Sequence, residues 1–388
     1  MNGGPRRLAY VLTAIHEGGL ERFTGDLMDA LPAQEFEPIL YVLTQNNPWL
    51  GEFERRGVKI RTYHASNAVR LGSVPSLVRA LLDLRKDFRK DGIELVHTCD
   101  FLPAAVGRLA ALTSGVRFRV HTLHSLYEWF PRWAHLLNRW LSGFTQVITA
   151  VSQSAADSAR RLESLPESKL RVVLNGADVS RFSFSATERE RVRRELGIGA
   201  NEILIGTVGS LTTRKGQEIL VEAVSKLPDA LPAWKVAIFG AAYGGPQDNL
   251  AVVQAAIATY GLHDRVRIHP PREDVPALLS AFDIFCMPSR VEGLSLASVE
   301  AQLCEALSVF SDIGPFREVV TDGWNGFLFR SEDPSSLAQV LERLMGSLDS
   351  FAEVRSNARK DALERFDKKR MTGTYLGIYR ELLRTGAR

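Results

Sequence analysis

Short apolar runs alternate with amphipathic stretches along nearly all of the 388 residues. The runs are apolar throughout and do not alternate between apolar and polar residues. Strands of this kind are buried on both faces, as in parallel sheets that helices cover on each side. The alternation of such strands with helices therefore predicts an α/β fold of doubly wound parallel sheets.

The pattern predicts strands in both halves of the chain and helices between them. The predicted strands are Leu8–Thr13, Pro38–Leu43, Ile93–Thr98, Phe118–Thr122, Val147–Val151, Arg171–Leu174, Ile203–Val208, Trp234–Phe239, Arg265–Ile268, Ile284–Met287, Ser308–Ser311 and Phe327–Phe329. The clearest predicted helices are Leu20–Leu31, Ser76–Lys90, Gln217–Lys226 and Leu337–Met345. With 45% hydrophobic residues, the composition provides for packed cores and excludes a disordered chain.

The length predicts two domains, because one sheet of this kind rarely takes up so much chain. We place the boundary after Asn175, where turn residues and a charged helix follow without a strand pattern. The predicted domains are 1–175 and 176–368. A last helix in 369–388 has Tyr375, Tyr379 and Leu382 at core-like spacing. It either caps its own domain or crosses back to the first.

Charge and cysteine content exclude several classes of protein. The net charge of +3 is too small to indicate nucleic-acid binding. The first 175 residues contain 22 basic and 17 acidic side chains, which fits either a solvated surface or contact with an anionic acceptor or membrane. The separated Cys99, Cys286 and Cys304 argue against disulfides and a zinc cluster. Without a signal-peptide pattern or a long apolar run, the expected location is the cytoplasm.

The first candidate site is the glycine pair Gly18–Gly19, which follows the first strand and opens the first helix. Ligands of doubly wound sheets bind at the carboxyl ends of the strands. Glycines allow backbone N–H groups to approach a ligand closely, and a helix N-terminus favours an anion. An ordinary turn between strand and helix would look the same, so the pair alone is a weak signal.

The second candidate site is the loop after the strand Ile203–Val208, which contains Ser210, Arg214 and Lys215. Cations at a helix N-terminus oppose the helix dipole, so their presence there indicates a bound anion such as a diphosphate. The alternative is a solvated basic turn. Neither a Walker A motif nor a dinucleotide-binding glycine fingerprint is present.

The third candidate site follows the strand Ile284–Met287 and has two glutamates eight residues apart, Glu292 and Glu300. Gly293 and the small residues after it leave the next helix N-terminus open. Backbone N–H groups of residues 294–297, which are Leu294, Ser295, Leu296 and Ala297, could bind phosphate oxygens there. Glu300 could accept hydrogen bonds from the vicinal hydroxyls of a sugar or ribose. The alternative for Glu300 is an acid on the helix surface.

Three histidines lie in or after two strands of the first half. We interpret His97 and His121 as strand residues, and His124 as a residue of a cleft loop beyond the strand end. Their spacing does not support a zinc site, and no acidic pair follows a strand in a position to bind a divalent metal.

The segment 129–144 is rich in tryptophan, with arginines interleaved. Trp133, Leu137, Trp140 and Phe144 fall on one helical face. We expect this face to pack in the core, because a helix has to cover the sheet. The alternative is an interfacial patch near a lipid-linked acceptor.

Motifs from the whole chain occur together, in the same order, in one known family. They include EGGLERF, VHTCDFLPAAVGRLAA, VHTLHS, ITAVSQS, LRVVLNGADVSRF, VGSLTTRKG, the run from GLHDRVRIHPP to VEGLSLASVEA, and SDIGPFREVVTDGWNGFLF. With these motifs the chain resembles the retaining glycosyltransferases of family 4. The resemblance implies the GT-B fold, in which two Rossmann-like domains face a cleft and the last helix returns to the first domain.

The resemblance also implies roles for individual residues. Lys215 would neutralise the diphosphate of a nucleotide sugar, and Glu300 would bind its ribose. Glu292 and the backbone of 293–296 would contact the donor sugar and phosphates. Arg272 would border the base. On the acceptor side, Gly19, next to Gly18, would approach the phosphates, and His124 would lie beside the transferred sugar.

The implied reaction transfers a hexose or N-acetylhexosamine, with retention and without a metal or cofactor. UDP is favoured over GDP as the carrier. The acceptor would be a glycan, a lipid-linked glycan or a small molecule, with peripheral contact to the inner membrane face. The family usually has Arg where Ser210 stands and Gly where Glu305 stands. Two alternatives stay open, an inactive donor-binding partner subunit and a nucleotide-sugar epimerase.

Overall fold

The computed structural model describes residues 4–16, 18–65, 73–128, 130–242 and 247–385. The chain forms two compact units. Unit 1 comprises 1–175 with 368–388, and unit 2 comprises 176–367. Both are built from parallel strands and the helices that connect them, so the predicted α/β fold with two doubly wound sheets is confirmed.

The described residues of unit 1 form seven strands, six connecting helices and the last helix of the chain. In chain order they are β1 (Arg6–Leu12), α1 (Gly19–Asp29), β2 (Phe36–Val42), α2 (Leu50–Arg55), β3 (Lys59–Thr62), α3 (Val74–Lys90), β4 (Leu95–Cys99), α4 (Phe101–Ser114), β5 (Phe118–Leu123), α5 (Arg132–Gly143), β6 (Val147–Ala150), α6 (Gln153–Glu163), β7 (Leu170–Val172) and, at the end, α15 (Lys368–Thr385).

In unit 2, the part of the chain that the structure describes forms six strands and eight helices. They are α7 (Ala186–Glu195), β8 (Ile203–Val208), α8 (Gln217–Val224), β9 (Trp234–Phe239), α9 (Leu250–Thr259), β10 (Val266–His269), α10 (Val275–Ala281), β11 (Ile284–Met287), α11 (Leu296–Leu303), β12 (Leu307–Ser311), α12 (Gly314–Arg317), β13 (Phe327–Phe329), α13 (Pro334–Met345) and α14 (Ala352–Arg365).

The strand order of each sheet reverses once. In unit 1 it is β3-β2-β1-β4-β5-β6-β7, and in unit 2 it is β10-β9-β8-β11-β12-β13. The chain winds outward from β1 in one direction and from β4 in the other, and likewise from β8 and β11. Such a reversal opens a crevice at the carboxyl ends of the two central strands, where ligands of doubly wound sheets bind. The loops after β1 and β4, and after β8 and β11, therefore border the candidate sites.

All twelve predicted strands are present, with ends shifted by two residues at most. The sequence pattern missed β3, a four-residue strand at the edge of the first sheet with no fully buried residue. Its sequence, Lys-Ile-Arg-Thr, lacks an apolar run because an edge strand is covered less than a central one.

The last helix, α15, belongs to unit 1 and packs beside α1. Tyr375, Tyr379 and Leu382 are buried in the core, as their spacing predicts. The Tyr379 hydroxyl lies 2.6 Å from His97 Nδ1 and accepts a hydrogen bond from the Tyr10 hydroxyl at 3.2 Å. These contacts hold the end of the chain against β1 and β4.

The expectation that the tryptophan-rich face packs in the core is wrong. Trp133, Trp140 and Phe144 are 49%, 51% and 41% exposed, Leu137 is half-buried, and Trp129 lies outside the described residues. The opposite face of α5 is buried instead. The reason is a polar network that the apolar periodicity does not reveal.

Arg108 of α4 is fully buried and donates a hydrogen bond to Asn138 of α5, which donates one to Glu163 of α6 at 2.8 Å. His135 lies 3.6 Å from Glu163. A buried guanidinium needs such partners, and they turn the polar face of α5 inward and its aromatic face outward.

Candidate active site

Gly216 brings the first two elements of the unit 2 site close together. It follows a short 3₁₀ turn, Thr213–Lys215, and has a φ of +62°. A Cβ atom at this position would lie 2.4 Å from the carbonyl oxygen of Pro288. Only glycine fits a left-handed position with so close a neighbour, so the loop after β8 can pack against the loop after β11.

Arg290 links these two loops. Its backbone N–H donates to the carbonyl oxygen of Arg214 at 2.8 Å, and its Nη1 donates to that of Thr213 at 2.6 Å. Its guanidinium also forms ion pairs of 2.7 Å with Glu218 and Glu332. No sequence pattern predicts this role, because the partners come from distant segments.

Lys215 and Glu292, both predicted site residues, form an ion pair between the two loops. Lys215 Nζ lies 2.6 Å from Glu292 Oε1, and the side chains are only 14% and 7% exposed. Burial alone would raise the pKa of Glu292, but Lys215, with Arg214 nearby, holds that pKa below its ordinary value. Glu292 is therefore an ionised carboxylate at neutral pH.

Helix α11 begins beside this pair. Gly293, Leu294 and Ser295 are buried, and Leu296 is the first residue of the helix. The Ser295 side chain does not cap the helix N-terminus, and its hydroxyl instead lies 3.5 Å from the sulfur of Met287. The first N–H groups of a helix have no partner within the helix, so this N-terminus can bind an anion.

Glu300 is buried, at 6% exposure, one turn into α11. The alternative of an exposed surface acid is therefore excluded. Its charge raises the pKa of the buried thiol of Cys304, one turn further along, in addition to the larger effect of burial. A carboxylate in such surroundings forms strong hydrogen bonds to a ligand that excludes water.

Arg272 is held elsewhere in unit 2. Its guanidinium donates to Asp274 at 2.8 and 2.6 Å and to Glu195 at 3.0 Å. The described contacts do not join it to Lys215 or Glu292.

Ser210 and Arg214 differ in how they relate to the ion pair. Ser210 contributes its carbonyl oxygen, which accepts a hydrogen bond from Gln217 at 2.9 Å. The half-buried guanidinium of Arg214 has no ion pair among the described residues, yet it helps to lower the pKa of Glu292. Its charge thus acts on the same carboxylate as Lys215.

In unit 1, Gly18 and Gly19 begin α1 next to a buried carboxyl group. Gly18 is the N-cap residue and Gly19 is exposed. Glu21 accepts a hydrogen bond from the backbone N–H of His16 at 3.4 Å. Burial raises the pKa of Glu21 to about 7, so this carboxyl group titrates near neutral pH.

His124 follows β5, as predicted, and its ring lies edge-on to Phe23 at 4.5 Å. Burial lowers its pKa to about 3, so the ring is neutral. Its Nε2 is buried and has no hydrogen-bond partner among the described residues. His97 and His121 lie buried in β4 and β5, which confirms their interpretation as strand residues.

Asp100 lies directly after β4, and no sequence pattern points to it. Its φ of 67° and ψ of 175° belong to a region that is almost restricted to glycine. Tyr127 donates a hydrogen bond to its carboxylate at 2.9 Å and accepts one from the backbone N–H of His124 at 3.3 Å. Backbone strain of this kind is concentrated at functional sites, but the sequence carries no signal for it.

Among the described residues, no group of three or more His, Cys, Asp or Glu side chains is placed to hold a metal ion. The described part of the chain likewise contains no helix of the length and apolarity needed to cross a membrane.

Two family models match consecutive parts of the chain. Residues 17–181 match "Glycosyltransferase Family 4", and residues 188–361 match "Glycosyl transferases group 1". The chain belongs to this glycosyltransferase family. It is a retaining glycosyltransferase, as the resemblance of its motifs implies.

Two bacterial glycosyltransferases are among the proteins with a similar sequence. The D-inositol 3-phosphate glycosyltransferase of Xylanimonas cellulosilytica is 29% identical over 310 residues, covering 74% of this chain and 71% of that one. The UDP-Gal:alpha-D-GlcNAc-diphosphoundecaprenol alpha-1,3-galactosyltransferase of Escherichia coli is 25% identical, covering 87% of both chains.

Among solved structures, HepE of Anabaena in complex with UDP-glucose is similar over 97% of this glycosyltransferase and 99% of HepE. The TM-score is 0.86 and the sequence identity 22%. This similarity confirms the GT-B fold.

Proposed function

We propose that the enzyme transfers a hexose or N-acetylhexosamine from a nucleotide diphosphate sugar, with UDP as the carrier, and needs no metal ion. The observation that carries this proposal is the buried Lys215–Glu292 ion pair beside the N-terminus of α11. Complexes of HepE with UDP and UDP-glucose, and the UDP-Gal named for the relative in E. coli, support the choice of UDP.

Negative charge develops on the departing diphosphate as the bond to the sugar breaks. In the proposed site, Lys215, Arg214 and the N–H groups of residues 293–297 stabilise this charge. Glu292 has a lowered pKa and therefore accepts hydrogen bonds from hydroxyls of the donor sugar. Glu300 binds the two ribose hydroxyls.

Retention is explained by attack on the same face of the sugar. The bond from the anomeric carbon to the phosphate oxygen breaks as the acceptor oxygen bonds to that carbon. The acceptor proton passes to the departing phosphate oxygen, so no protein nucleophile is required. We place neutral His124 beside the sugar, and Gly18 and Gly19 near the phosphates.

We further propose that residues 1–175 with 369–388 form the acceptor side and residues 176–368 the donor side. Arg272 would border the base while paired with Asp274. The acceptor would be a glycan, a lipid-linked glycan or a small molecule, as in polysaccharide biosynthesis. We place the enzyme in the cytoplasm, in peripheral contact with the membrane. Family membership favours a transferase over the epimerase and the inactive subunit.

A screen of UDP- and GDP-sugars, with and without acceptor sugars, tests this function. We expect turnover with a UDP-sugar that persists in EDTA, and NMR of the product should show the donor's anomeric configuration. Turnover that is lost in EDTA and restored by magnesium or manganese would contradict metal independence. Binding without turnover would support the inactive subunit, and an epimerised donor would support the epimerase.

A further inference from the structure

Helix α5 exposes an apolar face on the outside of unit 1. Trp133, Leu136 and Trp140 are 49%, 64% and 51% exposed, and Phe144, which caps the helix, is 41% exposed. The rings of Trp140 and Phe144 contact each other, with centroids 5.2 Å apart. This set of four side chains, here called the α5 face, forms one stripe along the helix. So many large apolar groups in one exposed stripe indicate a binding surface.

The α5 face is also basic. Arg132 and Arg139 are exposed on the same side of the helix, which contains no acidic residue. Residues 101–150 include five arginines and a single acidic residue, Glu128. That glutamate is ion-paired with Arg161, so the charge around the face is positive.

A second exposed apolar stripe belongs to the same layer of helices. Val74, Val78 and Leu82 of α3 are about half exposed, and α3 packs on α4, which packs on α5. Lys86 is exposed on α3 as well, and so is Arg79, whose Nε lies 3.9 Å from the exposed Asp83. Apolar and basic groups thus extend beyond a single helix.

The chemistry of the α5 face distinguishes between candidate partners. If a second copy of the chain bound through this face by twofold symmetry, Arg132 and Arg139 of one copy would lie close to the same arginines of the other. Like charges that meet in an interface weaken binding. A bilayer with anionic headgroups fits both the apolar and the basic groups of the α5 face. Indole rings lie at the boundary of headgroups and acyl chains, and arginines bind lipid phosphates.

We propose that the α5 face docks on an anionic lipid bilayer. Trp133, Leu136, Trp140 and Phe144 enter the interface, and Arg132 and Arg139 bind lipid phosphates. The contact itself follows from unit 1 alone. The consequence that unit 1 meets a lipid-linked acceptor at the bilayer rests on the proposed function.

Co-sedimentation of the full chain with vesicles tests the docking. We expect binding to vesicles that contain phosphatidylglycerol, weak binding to phosphatidylcholine alone, and release by salt. Trp133→Ser with Trp140→Ser, and separately Arg132→Gln with Arg139→Gln, should each weaken binding about tenfold or more. The control variants Trp324→Ser and Arg330→Gln remove comparable exposed groups of unit 2 and should bind as the wild type.

Three results would overturn the proposal. They are absence of wild-type binding, binding that the α5 variants leave unchanged, and polyglutamate binding at least as tightly as the vesicles, which would indicate an acidic protein partner. Calorimetry with UDP separates this proposal from the proposed function. The α5 variants should bind UDP as the wild type does, and vesicle binding without UDP binding would contradict only the proposed function.

Discussion

At the residue scale, the Lys215–Glu292 pair shows what the sequence leaves undecided. The two residues are 77 positions apart, and each was predicted as a site residue from its own loop. The sequence could not predict their contact, because it depends on the close approach at Gly216. Under the proposed function, Lys215 would divide its charge between Glu292 and the bound diphosphate.

Arg214 offers a test of whether the loop after β8 compensates for Ser210. If Arg214 shares the diphosphate with Lys215, Arg214→Ala should lower kcat/KM about tenfold, or about 1.4 kcal/mol. Ser210→Arg should be tolerated and should partly rescue Arg214→Ala, while the exposed Arg330→Ala serves as control. A silent Arg214→Ala, together with strong activation by Ser210→Arg, would show that nothing compensates in the wild type.

Glu21 predicts a pH dependence of stability. Its pKa is about 7 in the folded chain against 4.5 ordinarily, so the folded chain binds more protons between these values and stability falls as pH rises from about 4.5 to about 7. Glu21→Gln should remove this loss and stabilise the chain by about 1–3 kcal/mol at pH 8. Thermal melts between about pH 4.5 and about pH 8 measure the stability of the wild type and of Glu21→Gln, with Glu37→Gln as the control. An unchanged pH profile would contradict the raised pKa.

Glu305 predicts a stabilising substitution. It has a φ of +61°, where a side chain costs about 1 kcal/mol, and its carboxylate lies 3.7 Å from Arg359. Glu305→Gly relieves this cost, but glycine also raises the entropy of the unfolded chain, which opposes folding. The net gain in the free energy of unfolding should therefore be only about 0.5 kcal/mol. Urea unfolding measures it. Glu353→Gly, in the first turn of α14, should lower the free energy of unfolding. An equal loss of stability in Glu305→Gly would contradict the backbone strain at Glu305.

At the element scale, apolar runs predicted the central strands because those strands are buried on both faces. The same reasoning failed at β3, which is an edge strand, and at α5. There the buried face is selected by Arg108 of α4 and Glu163 of α6, which lie outside the helix sequence. Periodicity identifies an apolar stripe but does not say whether that stripe faces the sheet or the solvent.

Helix α15 predicts a stability effect through its hydrogen bonds. Tyr379→Phe leaves His97 Nδ1 and the Tyr10 hydroxyl without this buried partner. Unfolding free energy should fall by about 1–3 kcal/mol, measured by urea denaturation. Tyr260→Phe, at an exposed residue of unit 2, should change it little. An equal effect of both variants would mean that α15 does not stabilise unit 1 in this way.

At the scale of the whole molecule, two sheets that each reverse strand order once have two crevices. The loops predicted as site loops follow β1, β5, β8 and β11. Three of them are recognisable because glycines, cations or paired glutamates come directly after an apolar run. Asp100 and Arg290 escaped prediction, since their roles come from backbone strain and from contacts between distant segments. The sequence therefore identifies the loops of the candidate site better than the contacts within it.

Binding of UDP, measured by calorimetry, tests the central claim that unit 2 holds a nucleotide sugar through α11. We predict that the wild type binds UDP and that Glu300→Gln weakens binding about tenfold or more, because an amide accepts weaker hydrogen bonds from two ribose hydroxyls than a carboxylate does. The exposed Glu342→Gln should bind as the wild type. Absence of UDP binding, or equal affinity of the wild type and Glu300→Gln, would contradict the account.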